Sequence, residues 1–415
     1  MDFTYFPDTC PSPPRRLELQ GGTPIPVFEP DSLPQVESFA ELAAQLPPGR
    51  PDAAFVQAEQ VDMEAMPGGL IEGRTLFGPG RVNPTLRGPS AVMRQMASVV
   101  LHDAIVSGQS TTVHSLRRGF YAPSVRLFDD GSGSIEEVAR LEPFYAPAGA
   151  GRVQIAAQRG EIVCHDEIAM PVCGVGMWNY GHFLYDGLPA ALLAAQALPR
   201  ENWRLVGNAL RPWQAEILQA LGLRERYREV ISPVAFTRVL ACDLMALHVS
   251  YPTRFVRPLF DTLRYRLGAG RRGYRAVFLS RRGDTSRRVM INRDAVEQAL
   301  AGLGLEIVQP ETLSFAEQVR LAASCSLVVG EGGAGMANVG FCEPGTTVLE
   351  IQSEDGPDGW IRAACRIMGL DWHLFVARSD PEAMHAHPEP KPQLLFSVDI
   401  PALVEAVGAV RKSIR

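Results

Sequence analysis

Four glycines fall within six residues, Gly330, Gly332, Gly333 and Gly335, directly after the apolar run Ser326–Val329. Missing Cβ atoms let a backbone turn sharply and come close to a ligand, and the N–H groups of a helix start favour negative charge. Glu331, Ala334 and Asn338 lie in or just after this turn, and Glu350 ends the next apolar run. A carboxylate there can accept hydrogen bonds from two adjacent ribose hydroxyls, so types and spacing together describe a site for a nucleotide diphosphate. A second reading is a dinucleotide site: Gly330-x-Gly332-x-x-Gly335 with an acid at 350 matches the fingerprint of nicotinamide- and flavin-binding units. Against it, Pro344–Gly345 leaves barely two turns of helix, short for such a crossover. A third reading is a tight turn without a ligand.

The elements around the turn alternate. Ala276–Ser280, Glu306–Gln309, Ser326–Val329 and Thr347–Ile351 read as strands, and Arg293–Leu303, Ser314–Ala323 and Gly359–Met368 as helices. Such alternation predicts a parallel sheet with ligands beyond the strand carboxyl ends. Upstream, strands at Ile162–Cys164 and Arg204–Val206 flank a long helix at Asn179–Ala197; a helix at Trp213–Leu221 and another at Phe255–Leu267 follow, and Gly268-Ala-Gly270 marks a linker. The expected organisation is a proline-rich arm and β-rich region over 1–150, a first α/β domain over 151–270, a second over 271–380, and a loop and helix over 381–415. Within the arm a short helix is expected near Ser38–Leu46, and Pro381–Pro392 reads as a loop.

Bulk properties bound the function. Of 415 residues 46% are hydrophobic and the net charge is −6, so no global basic field points to nucleic acid. Arg271–Arg293 nonetheless carries eight arginines beside a strand end, which suits anion binding. Seven scattered cysteines without C-x-x-C argue against a disulfide framework or zinc site and fit a reducing compartment. No D-x-D stands near a strand end, Asp129-Asp130 reads as a turn, and no metal is implied. The first residues lack a secretory pattern and no apolar run is long enough to span a bilayer. Cytoplasmic residence is expected, with peripheral contact at the inner face of a membrane left open.

Three blocks resemble glycosyltransferase family 61. The first is Asn179-Tyr-Gly-His182-Phe-Leu-Tyr-Asp186-Gly-Leu-Pro189, similar to the family's Asn-x-x-His-x-x-x-Asp-x-Leu-Pro signature. The second is Ser280-Arg281-Arg282 with Arg287-Arg288 and Asn292, and the third is the segment from Ser314 to Glu350. Two departures stand out: Gly332 replaces a turn histidine, and Arg293 replaces an acid. The resemblance implies a GT-B-like fold, two Rossmann-type domains facing a cleft, and inverting transfer from a nucleotide sugar, UDP-linked and without further cofactor, to a glycan or lipid-linked glycan in surface or capsular polysaccharide synthesis. On that reading His182 and Asp186 are base and orienter, in either assignment, since residues four apart on a helix lie adjacent. Arg281 and Arg288, with Ser280, would clamp the diphosphate. Glu317 either holds the turn or faces solvent, and Asn338 either bonds backbone or reaches the ligand. A catalytically silent scaffold, motivated by Gly332, and a NAD- or FAD-dependent oxidoreductase are the alternatives.

Overall fold

The computed structural model describes residues 13–62, 76–81, 91–107, 112–125, 135–149, 152–157, 159–172, 178–195, 202–242, 254–270, 273–282, 288–356, 359–387 and 394–414. Asp129-Asp130, Cys10 and Cys173 fall outside these. The chain is mixed α/β and divides into two compact units, 1–59 with 93–249, and 60–92 with 250–415.

The first unit is built on a mixed sheet. Its parallel part runs Tyr227–Glu229, Trp203–Gly207, Arg159–Pro171, Val234–Cys242. Numbered along the chain, these strands lie in the order 3-2-1-4, which reverses direction between strands 1 and 4. The expected separation of residues 1–150 from the first α/β domain is not what the fold does. Ala91–Val106 pairs antiparallel with Val234–Cys242, and Arg15–Gln20, from the proline-rich arm, pairs with Arg159–Cys164. An unpaired edge strand leaves a row of N–H and C=O groups unsatisfied, and joining the neighbouring sheet satisfies them. Ile105, Phe120, Tyr145, Ile162 and Ala235 form one buried cluster, so both stretches of chain also share a core. The arm's helix, Phe39–Ala43, is capped by Ser38, whose side chain accepts from the Glu41 N–H.

The second unit holds five parallel strands, Arg275–Leu279, Glu306–Val308, Cys325–Glu331, Thr347–Ser353 and Asp371–Ser379, in the order 2-1-3-4-5. Order reverses between strands 1 and 3. Cys325–Glu331 and Thr347–Ser353 are buried throughout, as expected of strands covered on both faces. On one face Val296, Leu300, Leu403 and Val407 from helices Arg293–Gly302 and Ile400–Ser413 meet Phe278, Val329, Leu349 and Ile351. On the other, Phe341 packs edge-on against Phe315 and tilted against Phe260, with ring centres 5.6 and 4.7 Å away. Phe260 belongs to Arg257–Arg266; this helix therefore packs in the second unit, and the boundary falls near 250 rather than at the glycine linker.

Two further departures have local causes. Leu76–Phe77 crosses over to pair with Asp371–Ser379, so the second sheet borrows a strand from the N-terminal region. Pro381–Ala386 is a helix rather than a loop, because Asp380 caps it by accepting from the Ala383 N–H and Pro381 occupies a first-turn position, where its missing donor is harmless. Among the described residues no helix is long and apolar enough to cross a membrane.

Candidate active site

Each unit presents its candidate residues just beyond the strand ends where strand order reverses, the place where open α/β sheets bind ligands. In the first unit Asn179 starts the helix after strand Arg159–Pro171. Its Oδ1 accepts from the N–H groups of Gly181 (2.8 Å) and His182 (3.4 Å). The helix then widens over Phe183–Gly187, where the Leu188 N–H reaches back to the Phe183 carbonyl, an i→i+5 bond. Pro189 supplies the reason: it has no N–H to donate to Tyr185 and its ring crowds that carbonyl, so the preceding turn opens. Tyr180 and Phe183 both pack their rings on Trp213, 5.4 and 5.3 Å between centres, which anchors the helix start to Pro212–Ala220.

His182 Nδ1 lies 2.7 Å from Asp186 Oδ2, with side chains 19% and 8% exposed. A carboxylate can only accept, so Nδ1 is the donor of this bond. Asp186 is the deeper partner. The structure therefore brings together the two residues paired from their spacing.

In the second unit the glycine turn follows strand Cys325–Glu331, and a 3-10 helix, Ala334–Phe341, starts from it. Its first N–H groups have no partners within the helix. Gly333 has φ 146°, and a Cβ there would stand 2.4 Å from Arg281 Nη1 and 3.9 Å from Arg288 Nη1. Only glycine allows both the backbone conformation and the approach. Arg288 also donates to the Gly332 carbonyl at 3.0 Å. Arg281 and Arg288 thus converge on the turn, with Ala334 and Gly335 half-buried at its outer side. Burial draws the Arg281 guanidinium below its ordinary value; Glu331 opposes this, while Arg288 and Arg293 add to it. Gly330 lies against Met336.

Other predicted site residues face inward. Glu350 is fully buried: Gln352 Nε2 and Trp372 Nε1 each donate to its carboxylate at 2.9 Å. A ribose carboxylate should be offered at the surface; this one is enclosed because Trp372 and Gln352, on the same face of the sheet, close over it. Its Oε1 would lie 2.9 Å from a Cβ on Gly332, so the space a turn histidine would enter is already filled. Ser280 is buried and donates to Glu297, and Arg282 is held by Glu297 and Asp294. Glu331, also buried, accepts both guanidinium bonds of Arg293, one of them 2.9 Å. Burial pushes its carboxyl up, against the pull of Arg293.

Glu317 does not hold the turn; it is exposed, the other of its two readings, and caps its own helix in a reciprocal box with Ser314. Asn338 bonds Gln318 Oε1 at 3.0 Å and the Gly335 carbonyl at 3.3 Å. Asn292, from the second block, exchanges two bonds with the Val398 backbone, 2.8 and 3.0 Å, tying one helix start to the approach of the last helix. Trp213, Trp372 and Gln352 went unmarked in the sequence, since nothing local distinguishes an aromatic or amide that braces a site from one in the core. Among the described residues no group of three or more His, Cys, Asp or Glu could hold a metal ion, and the five described cysteines are free and buried.

A histidine–carboxylate pair thus follows one sheet and an arginine-lined glycine turn the other. The family model Glycosyltransferase 61 matches residues 180–349. The match, over less than half of the chain, makes that segment similar to glycosyltransferase family 61 and supports a glycosyltransferase. The match begins in the His182 helix and ends one residue before Glu350. No curated protein matches the chain significantly.

Proposed function

We propose that the protein transfers a sugar, with inversion, from a nucleoside-diphosphate sugar to a glycan acceptor. Arg281 and Arg288 bind the diphosphate, with the start of the 3-10 helix adding N–H donors. His182 Nε2 takes the proton from the acceptor hydroxyl while Asp186 holds the ring and stabilises the imidazolium. Charge on the departing diphosphate is met by guanidinium groups, which stay ionised at any working pH, so turnover proceeds without a metal. The fold is of the GT-B-like class, and the acceptor belongs to surface polysaccharide synthesis at the inner face of a membrane.

The observation that carries this reading is the convergence of Arg281 and Arg288 on Gly333 at the reversal point of the second sheet. The dinucleotide reading loses support from the same turn. Ala334–Phe341 is a 3-10 helix of eight residues, and the acid that would read a ribose is bonded to Trp372. Titration with a panel of nucleoside diphosphates, followed by donor hydrolysis with and without a chelator, tests the proposal. Tight binding of one diphosphate and chelator-resistant hydrolysis are expected. Binding without hydrolysis would favour the silent scaffold; binding of NAD or FAD alone would favour the oxidoreductase.

A further inference from the structure

Three guanidinium groups lie at the end of strand Cys325–Glu331, and two of them, Arg293 and Arg281, act on the Glu331 carboxylate. Arg281 and Arg288 meet at Gly333, while Arg293 is turned aside and engaged with both oxygens of Glu331. Arg293 is the first residue of its helix, where the helix dipole disfavours a cation, so its position calls for a compensating anion. Glu331 is that anion, with side-chain exposures of 12% for Arg293 and 3% for Glu331. A buried carboxylate beside a phosphate site works against anion binding. Its presence makes sense if binding that is too tight would slow the enzyme, because the diphosphate is also the product and product release limits many turnovers.

We propose that Glu331, paired with Arg293, sets the charge of the phosphate clamp, withholding one arginine from the nucleoside diphosphate so that the product leaves after transfer. This rests on the clamp described under Proposed function. Glu331 is a positioning residue, acting through Arg293. The charged groups around it are Arg293 and Glu297 on its own helix neighbour, Arg281 beyond the adjacent strand, Arg288 on the Gly332 carbonyl, and Glu350 beneath Gly332.

Glu331→Gln keeps the shape and releases Arg293 from its charge partner. Calorimetry with uridine diphosphate and with inorganic pyrophosphate should show about tenfold tighter binding, the scale of one charge-assisted bond. A lower kcat with a pre-steady-state burst should accompany it. Arg293→Met leaves the carboxylate buried without its cation. Pyrophosphate affinity should then fall about tenfold at pH 8 and recover as pH is lowered and Glu331 takes up a proton. The double variant removes one charge of each sign, and its affinity should return to within a few-fold of wild type, a readout that a purely structural pair would not give. Unchanged or weaker pyrophosphate binding by a folded Glu331→Gln protein overturns the proposal while leaving the clamp intact. Failure of the wild-type protein to bind either probe overturns the clamp and this inference together.

Discussion

The His182 helix and the glycine turn stand at equivalent places in two sheets, yet they do opposite things with charge. The first holds one histidine–carboxylate pair, largely enclosed, with 2.7 Å between its polar atoms. The second gathers guanidinium groups that do not titrate in any working range, opposed by a buried glutamate. A base must be able to change its charge during the reaction, whereas a leaving-group clamp must not. The two regions also differ in how they are held. The His182 helix is positioned by a side-chain cap and by rings on Trp213, while the turn is positioned by missing side chains at Gly332 and Gly333 and by the enclosed Glu350 beneath it.

The largest effect expected separates proton transfer from binding. His182→Ala and Asp186→Asn should each reduce turnover by about 10²–10⁴-fold with diphosphate affinity nearly unchanged. If the two act as one unit, the double variant should be little slower than the worse single variant. Full activity per folded molecule in both single variants would remove the helix from the chemistry.

The units should also respond differently to acid. Burial holds His114, in the first unit, down to about 4 from its ordinary 6.5. Its neutral form is therefore favoured on folding, so the stabilisation is present above pH 6.5 and is lost as pH falls toward 4. The full loss is roughly 3 kcal/mol. His114→Phe should flatten melting temperature against pH over this range; an unchanged slope would assign the acid sensitivity to other groups.

At the clamp, Arg281→Ala and Arg288→Ala should each remove about 1.5–3 kcal/mol of diphosphate binding, about ten- to hundred-fold, with little change in melting temperature. Calorimetric affinities equal to wild type in both would mean the phosphate sits elsewhere. The smallest effect concerns Glu350→Gln, which turns an acceptor-only group into one that must point an amide at the Trp372 or Gln352 donor. Roughly 1 kcal/mol of stability should be lost, and uridine diphosphate and pyrophosphate should weaken equally by a few-fold. Selective loss of the nucleotide would instead restore a ribose contact.

Much of this site was legible before any coordinates. The His182–Asp186 spacing, the strand–turn–strand run around Gly330–Gly335 and the basic stretch holding Arg281 and Arg288 are all local patterns, and the structure brings each set together. What was not legible follows a rule: side-chain direction. Glu350 proves to be mid-strand and Ser280 lies just past a strand end, and the sequence at either place reads the same whether the side chain turns to solvent or to the next layer. Trp372 and Glu297 decided those cases, each from a separate segment. The Arg293–Glu331 pair joins residues 38 apart, which no local pattern reports.

By itself the sequence determined the elements. Apolar periodicity set the strands and helices, Ser314 with Glu317 set a helix start, Pro189 opened a turn, and the glycines set where backbone could approach a charge. These are short-range effects, written in neighbouring residues. Tertiary structure alone decided that Arg15–Gln20 and Ala91–Val106 complete the first sheet, that Leu76–Phe77 joins the second, and that Arg257–Arg266 packs on Phe341. It also decided that Glu350 braces the turn from below. Edge strands take whatever partner satisfies their hydrogen bonds, and a buried carboxylate takes whatever donors enclose it; both choices depend on segments distant in the chain.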